Sequence, residues 1–177
     1  MKHRYKGKDK PRRPDTGAGG TLGRAKEKLH VTVDTREQIP LEFPGEWVSA
    51  TRGTVSVFDY ALTNDSGYSV ERKSLPDFIQ SVVLSKSWTR ELKKIEKARE
   101  RLLPIIYILE FSEEQIHSFD YSIYRSGRVT PQLVCRRIAE LMFDQGVIVW
   151  PSGSRMACSY WVCLILKRRL ESIRKTK

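Results

Sequence analysis

Alternating apolar and polar residues predict strands in the first part of the chain. Residues 30–35 (HVTVDT) place two valines on one face and polar side chains on the other, a pattern typical of a β-strand. Residues 46–51 predict a second strand. Residues 54–62 and 68–73 flank the turn-forming sequence NDSG, so these two segments predict a β-hairpin. Two strands followed by a hairpin therefore open the predicted fold.

Segments of helical periodicity alternate with buried strands in the rest of the chain. We predict a helix over residues 75–84, with Ser74 as its N-cap, and an amphipathic helix over residues 88–103. The continuous apolar run over 105–111 predicts a strand that is covered on both faces. The remaining predicted elements are a helix over 131–144 capped by Thr130, a short strand over 147–150, and a last helix from Ser152 or Ser154 to about Leu170. This order predicts an α/β sandwich, in which helices flank a central mixed β-sheet.

The positive charge lies at the two ends of the chain. The 177 residues carry a net charge of +11, which favours a polyanionic partner, with nucleic acid ahead of membrane. Residues 1–28 contribute a charge of +7 and residues 167–177 contribute +5, so the body between them is close to neutral at −1. We predict a basic, disordered tail over 1–28, a folded domain over 29–172 and a basic end over 173–177.

Several classes of protein are disfavoured by what the sequence lacks. No apolar run approaches the ~20 residues that span a bilayer, and the basic N-terminal segment has no apolar stretch of the signal-peptide kind. We therefore expect an intracellular protein, located in the cytoplasm or at the nucleoid if its source is bacterial or phage. Cys135, Cys158 and Cys163 form no CxxC pair and have no histidine at metal-ligand spacing, which argues against a zinc site.

The predicted hairpin places two carboxylates and an ammonium group on one face. With a five-residue loop over 63–67, Asp59 lies opposite Glu71, and Lys73 follows two residues later on the same face. Adjacent carboxylates suit Mg²⁺ or Mn²⁺, which hold a phosphodiester oxygen and lower the pKa of a bound water. The lysine is suited to orienting or helping to deprotonate that water, or to stabilising charge on the phosphoryl oxygens. The D…ExK spacing alone, however, fits a solvated cross-strand ion pair better than a metal site.

Two neighbouring positions extend this picture. Asp34 leaves the end of the first strand and supplies another carboxylate if that strand lies next to the hairpin. Phe58 and Tyr60 alternate with Asp59, so we predict both rings on the opposite, core face of the hairpin.

Two longer motifs surround the hairpin. Residues 71–77 read ERKSLPD, an ERKxxxD string, and residues 33–37 read VDTRE. In this order and spacing the motifs resemble the nuclease domain of the XPF family of structure-specific endonucleases, over roughly residues 29–172. The resemblance implies a restriction-endonuclease-like fold.

The resemblance also implies a set of functional residues. Asp59 and Glu71 match the family's metal-binding acids, and Asp34 is a further candidate ligand. The residues that match the active-site motifs are Asp34, Arg36, Glu37, Asp59, Glu71, Arg72, Lys73 and Asp77. The family uses Mg²⁺ or Mn²⁺ to cut DNA at flaps, forks and branches, and its nuclease domains pair into dimers. We therefore expect a metal-dependent DNA endonuclease that forms a homodimer or a heterodimer with a related chain.

The sequence departs from the family pattern in three places. Phe58 stands where the family usually has glycine. The family's Gly-Arg pair after the ERKxxxD helix is missing, and Lys86 or Arg90 is the candidate phosphate contact in its place. The chain also has no room for a tandem helix-hairpin-helix module, so we expect the basic tail to contact DNA phosphates through Lys10, Arg12 and Arg13.

The last predicted helix bears on the oligomeric state. Residues 156–166 are apolar nearly all round the helix, which favours burial of one face against the sheet and of the other against a second subunit. Burial deep within a single domain is the alternative.

The sequence is also compatible with two other functions. One is a non-catalytic DNA-binding partner subunit with a nuclease fold, which the presence of all the motif acids disfavours. The other is a restriction-like or junction-resolving nuclease that shares the D…ExK pattern.

Overall fold

The computed structural model describes residues 27–100, 104–124 and 128–176, and its centre is a six-stranded mixed β-sheet. The strands are β1 (Leu29–Asp34), β2 (Val48–Gly53), β3 (Tyr60–Leu62), β4 (Ser69–Lys73), β5 (Ile106–Leu109) and β6 (Ile148–Pro151). Their order across the sheet is β2-β1-β3-β4-β5-β6. Strand β3 is antiparallel to its neighbours β1 and β4, and the other neighbouring strands are parallel. The predicted mixed sheet is thus confirmed.

Helices cover both faces of this sheet. They are α1 (Leu75–Phe78), α2 (Ser85–Arg99), α3 (Glu113–Ser118), α4 (Pro131–Phe143) and α5 (Arg155–Thr176). Helix α1 continues directly into a π-helical turn over Ile79–Val83, in which the Leu84 N–H donates to the Ile79 carbonyl at 3.0 Å. A 3₁₀ turn follows α3 at Tyr121–Ile123. Within the described ranges, every helix is too short or too polar to cross a membrane.

Two apolar cores lie on opposite faces of the sheet. On the face that we call the α2 side, α1, the π-helical turn, α2 and α4 pack on the sheet through residues such as Phe78, Ile79, Ile95 and Val134. On the opposite face, the α5 side, Val162 and Leu166 of α5 pack on residues such as Val31, Tyr60 and Val70. Successive residues of β5 alternate between the two cores, which confirms a strand covered on both faces.

Helix boundaries agree with the predicted caps and differ at other ends. The Ser74 hydroxyl accepts the Asp77 N–H, and the Thr130 hydroxyl accepts the Leu133 N–H, as N-caps do. Helix α2 begins three residues earlier than predicted and ends at Arg99; residues 101–103 of the predicted helix lie outside the described residues. Helix α5 begins after Ser154 and extends past the predicted end near Leu170 to Thr176.

Other predictions about the chain need correction or lie outside the described residues. Helix α3 was not predicted; it begins with a capping box between Ser112 and Gln115. The strand predicted over 54–62 is confined to Tyr60–Leu62. Phe58 therefore precedes the strand and packs edge-on to Tyr107 on the α2 side, at a ring distance of 5.6 Å, whereas Tyr60 lies on the α5 side. The tail residues Lys10, Arg12 and Arg13 lie outside the described residues.

Candidate active site

The hairpin register brings the two predicted metal-binding acids together. Tyr60 pairs with Val70 and Ala61 with Ser69, Asp59 directly precedes β3, and Glu71 directly follows Val70 on β4. The Asp59 backbone joins both neighbouring strands, since its N–H donates to Val70 at 3.1 Å and its carbonyl accepts the Asp34 N–H at 2.8 Å. The acids therefore lie where β1, β3 and β4 meet, as expected from a five-residue hairpin loop.

A cleft of about 480 Å³ opens above this point. Most of the predicted site residues contribute to its wall: Arg36, Glu37, Asp59, Glu71, Arg72, Lys73, Asp77 and Arg90. Glu91 of α2 also lines it. Asp34 and Lys86 are not among the lining residues, so the fold gathers most, but not all, of the predicted set.

Asp59 is a buried carboxyl group that lies close to a second carboxylate. Its Oδ2 accepts the Arg72 N–H at 2.8 Å, and no lysine or arginine of the described ranges forms an ion pair with it. Burial, together with repulsion from the Glu71 carboxylate, raises the pKa of Asp59 to about 8. A divalent cation beside both carboxylates would offset that repulsion.

Glu71 is buried between two ammonium groups. Lys94 Nζ lies 2.6 Å from each carboxylate oxygen, and Lys73 Nζ lies 2.8 Å from Oε1. Burial alone acts to raise the pKa of Glu71, but the two lysines outweigh it and hold the pKa below its ordinary value. Glu71 is therefore a charged carboxylate in the interior of the site.

A second carboxylate fixes Lys73 on the α2 side of the sheet. Lys73 Nζ lies 3.4 Å from Glu91 Oε1, and the Tyr107 hydroxyl donates to the same oxygen at 2.8 Å. Burial opposes the charge on Lys73, but Glu71 and then Glu91 raise its pKa above the ordinary value. Glu91 thus orients the lysine of the ERK motif.

The sequence motifs did not predict a role in the site for Glu91 or Lys94. A signal for Glu91 exists, because it stands four and seven residues before Ile95 and Ala98, on the buried stripe of α2. A carboxylate on an apolar stripe needs a buried partner, and Lys73 and Tyr107 provide it. Lys94, one position before that stripe, carries no comparable signal.

The Arg72 side chain points to the other face of the sheet, where its guanidinium group binds two acidic side chains. Its Nη2 lies 3.1 Å from Glu37 Oε1, and its Nη1 donates to Glu110, which also pairs with Arg155 at 3.0 Å. Burial opposes the charge on Arg72, and Glu37 reverses the effect, so that the pKa of the guanidinium is raised. Arg72 thereby holds Glu37 in place at the edge of the cleft.

Asp34 lies beneath the wall of the cleft. Its oxygens accept the Arg36 Nε–H at 2.6 Å, the Arg36 N–H at 2.8 Å and the Val55 N–H at 2.8 Å. Burial alone acts to raise the pKa of Asp34, but these hydrogen bonds lower it below the ordinary value. Both oxygens are engaged by the protein, and Arg36 is thereby held at the cleft.

The remaining predicted residues lie on α1 and α2. Asp77 accepts the Ser74 hydroxyl at 2.7 Å in the capping turn and faces the cleft. Arg90 is exposed on α2 and also reaches the cleft, whereas Lys86 is exposed one turn earlier. Of the two candidate phosphate contacts, Arg90 is the one that the fold places at the site.

The donor set fits a small, hard divalent cation. Asp59 and Glu71 supply carboxylate oxygens, the ligand type that Mg²⁺ and Mn²⁺ prefer. Within the described ranges, no cluster of three or more His, Cys, Asp or Glu side chains is arranged to hold a metal. Two carboxylates still suffice for Mg²⁺, which commonly keeps several waters and takes its other ligands from substrate phosphates.

A mixed six-stranded sheet flanked by helices, with the acidic cleft at its central hairpin, defines a restriction-endonuclease-like fold. The ERCC4 domain family matches residues 33–165, and the chain belongs to this family. The resemblance to the XPF family drawn from the two motifs is therefore confirmed.

Two solved structures share the fold at low sequence identity. XPF from Aeropyrum pernix matches with a TM-score of 0.56 and 18% identity, over 77% of this chain and 64% of that one. XPF from Aeropyrum pernix in complex with DNA matches with a TM-score of 0.60 and 19% identity, over 82% and 66% respectively. The chain thus spans less than two thirds of either structure's length. No curated protein sequence matches it.

Proposed function

We propose that this protein is a Mg²⁺- or Mn²⁺-dependent endonuclease that hydrolyses phosphodiester bonds in branched, flapped or forked DNA. The observation that carries the proposal is the pair of carboxylates, Asp59 and Glu71, beside Lys73 in the cleft of an ERCC4 domain. The similarity to an XPF structure in complex with DNA supports DNA as the substrate.

Each side chain has a distinct part in this mechanism. Asp59 and Glu71 would hold the metal, which would supply Lewis-acid chemistry by polarising a phosphoryl oxygen and lowering the pKa of a water. Lys73, fixed by Glu91, presents an ammonium group that stabilises the negative charge developing on the phosphoryl oxygens. Asp34 positions Arg36 at the cleft, and Arg72 positions Glu37.

A basic stripe on α2 supports DNA binding beside the cleft. It consists of the exposed residues Lys86, Arg90, Lys93 and Lys97, which recur every three or four positions and so share one helix face. In the part of the chain that the structure describes, none of these cations pairs with an acid. From Lys86 to Lys97 the helix advances by eleven positions, a rise of roughly 16 Å, which is enough to follow several phosphates of one strand. Lys10, Arg12 and Arg13 would add contacts from the tail.

An apolar patch supports the proposed dimer. Met156, Tyr160 and Leu164 are exposed at successive turns of α5, and Trp150 of the edge strand β6 packs against Trp161 with tilted rings, 4.4 Å apart. Contiguous exposed apolar side chains often mark a protein interface. We propose that a second copy or a related chain covers it.

Removing one metal-binding carboxylate tests the proposed activity. Asp59→Asn retains the size of the side chain but loses its charge, so we expect cleavage of a labelled flap substrate in Mg²⁺ to fall by roughly 1,000-fold or more. DNA binding should change little, because the basic stripe is intact. Glu96→Gln, an exposed acid of α2 that does not line the cleft, is the matched control.

The substrates compared in the same assay separate the competing functions. Cleavage by Asp59→Asn at the wild-type rate would show that the site is assigned wrongly. DNA binding by the wild-type protein without cleavage of any flap, fork, four-way junction or duplex would favour a non-catalytic subunit. Cleavage of plain duplex at a fixed sequence would favour a restriction-like enzyme.

A further inference from the structure

Lys94 binds the same carboxylate that the metal needs. Its Nζ lies 2.6 Å from each oxygen of Glu71, an arrangement that uses both oxygens at once. We propose that Lys94 competes with the divalent cation for Glu71 and leaves this carboxylate when the metal binds. The inference rests on the proposed metal site at Asp59 and Glu71.

The competition follows from distance and charge. A Mg²⁺ ion lies about 2.1 Å from a carboxylate oxygen, so a metal on Glu71 would lie within a few ångströms of the Lys94 ammonium group. A double and a single positive charge at that separation repel strongly in a partly buried site. Glu71 therefore binds one of the two cations tightly, and binding of the metal requires displacement of an ammonium group.

Lys94 is the lysine that is free to move. Lys73 is buried on a strand and is held by Glu91 as well as by Glu71. The side chain of Lys94 is 29% exposed on α2, and its other described contact is with the ring of Phe58, 5.3 Å from the ammonium group. A long, partly exposed side chain of this kind reaches water by rotation about its own bonds.

Phe58 makes the resting position of Lys94 favourable. The ring is fully buried and packs edge-on against Tyr107, and an ammonium group over an aromatic face is attracted by the negative charge of that face. Phe58 and Glu71 together form the resting site of the Lys94 ammonium group.

Bound DNA would give the released lysine an anionic partner. Arg90 lies one helical turn before Lys94 and lines the cleft, so a withdrawn Lys94 joins the basic residues that face the DNA. Phosphates that bind Lys94 release Glu71, and a metal that binds Glu71 releases Lys94. The two ligands therefore assist each other, and the coupling is reciprocal.

Direct measurement of Mn²⁺ binding tests the competition without any assay of cleavage. Free Mn²⁺ is followed by its electron paramagnetic resonance signal during titration of the full chain at low ionic strength. We expect Lys94→Met, which preserves length and helix propensity, to bind Mn²⁺ about tenfold more tightly than the wild type. Lys93→Met removes a neighbouring exposed lysine of the same helix and should bind as the wild type does.

A second variant tests the same competition while Lys94 stays in place. Phe58→Leu keeps an apolar side chain in the core and leaves Lys94 in place, so tighter Mn²⁺ binding by this variant, to a smaller degree, supports the same competition. Thermal unfolding checks that each variant is folded. Equal Mn²⁺ affinity of Lys94→Met and Lys93→Met, with Phe58→Leu unchanged, would overturn the inference.

Asp59→Asn distinguishes this failure from failure of the proposed function. If Asp59→Asn loses Mn²⁺ binding while Lys94→Met binds like the wild type, the metal site stands and the competition is rejected. If the wild type and Lys94→Met both fail to bind Mn²⁺ at millimolar concentration, the metal site and the competition are both rejected.

Discussion

Asp34 and Asp59 lie on adjoining segments, joined by a backbone hydrogen bond, but their carboxylates have opposite surroundings. Asp34 is saturated with donors from its own chain, and its pKa is lowered by them against the effect of burial. Asp59 accepts one described backbone N–H and faces Glu71 across the hairpin. At the residue scale, the first carboxylate is fully engaged within the fold, and the second is the one that we propose to bind a cation.

The buried position of Asp34 leads to a prediction about stability. Asp34→Ala leaves the buried Val55 N–H without its acceptor, so we expect the free energy of unfolding to fall by about 2 kcal/mol. Arg36→Ala removes a cation that is 67% exposed, and we expect its cost to be less than about 1 kcal/mol. Urea denaturation of the two variants measures both values. A larger loss for Arg36→Ala would show that the ion pair, not the buried backbone bond, carries the stability.

At the scale of elements, α2 combines three roles on three faces. Ile95 and Ala98 pack into the core, Glu91 and Lys94 reach the acids of the hairpin, and the basic stripe faces solvent. Because α2 lies beside the cleft, its side chains complete the group of charged residues around the two acids of the hairpin.

The basic stripe of α2 predicts a change in the salt dependence of DNA binding. Each phosphate contact contributes about 0.9 to the slope of log affinity against log salt concentration. We expect Lys93→Ala combined with Lys97→Ala to reduce this slope by about 2 and to weaken binding to all sequences alike. Arg168→Ala, an exposed cation of α5, should leave the slope unchanged. Fluorescence anisotropy with a labelled fork at several salt concentrations gives the slopes, and equal slopes for all proteins would place the DNA elsewhere.

The sequence permits prediction of elements whose signals are local. The NDSG turn and the alternation around it are enough to predict the register of the hairpin, in which Tyr60 pairs with Val70 and Ala61 with Ser69. The segment 54–59 also alternates, but it forms a loop because the Val55 N–H bonds to the Asp34 carboxylate instead of a strand. Lys94 meets Glu71 across 23 residues, and only the packing of α2 on β4 creates that contact. Charged helix residues usually face water, so no local pattern separates Lys94 from Lys93.

At the scale of the molecule, charge and apolar surface lie in different places. The body of the chain is nearly neutral and contains the acidic cleft, and the cations cluster on α2 and toward the two ends. The apolar patch of α5 and β6 lies at the edge of the sheet that is formed by β6. The proposed dimer contact and the proposed DNA contact therefore use different surfaces.

The apolar patch predicts the oligomeric state. We expect sedimentation velocity at micromolar concentration to give the mass of two chains, because Met156, Tyr160 and Leu164 would otherwise remain in water. Tyr160→Glu combined with Leu164→Glu should give a folded monomer, since it adds charge to exposed positions. Lys93→Glu combined with Lys97→Glu, which also changes charge at two exposed positions but on α2, is the control. A wild-type protein that sediments as a strict monomer would disprove the proposed dimer.

The π-helical turn over Ile79–Val83 has a consequence for the comparison of relatives. An i→i+5 turn contains one residue more than an α-helical turn, so the chain gains one position there without lengthening the helix. If the helix of a relative is regular, an alignment that counts positions from the ERK motif is therefore shifted by one residue after Val83. The equivalents of Arg90, Glu91 and Lys94 are then best found by superposition of α2. Deletion of a single residue within the turn is the length change that this region should tolerate most readily.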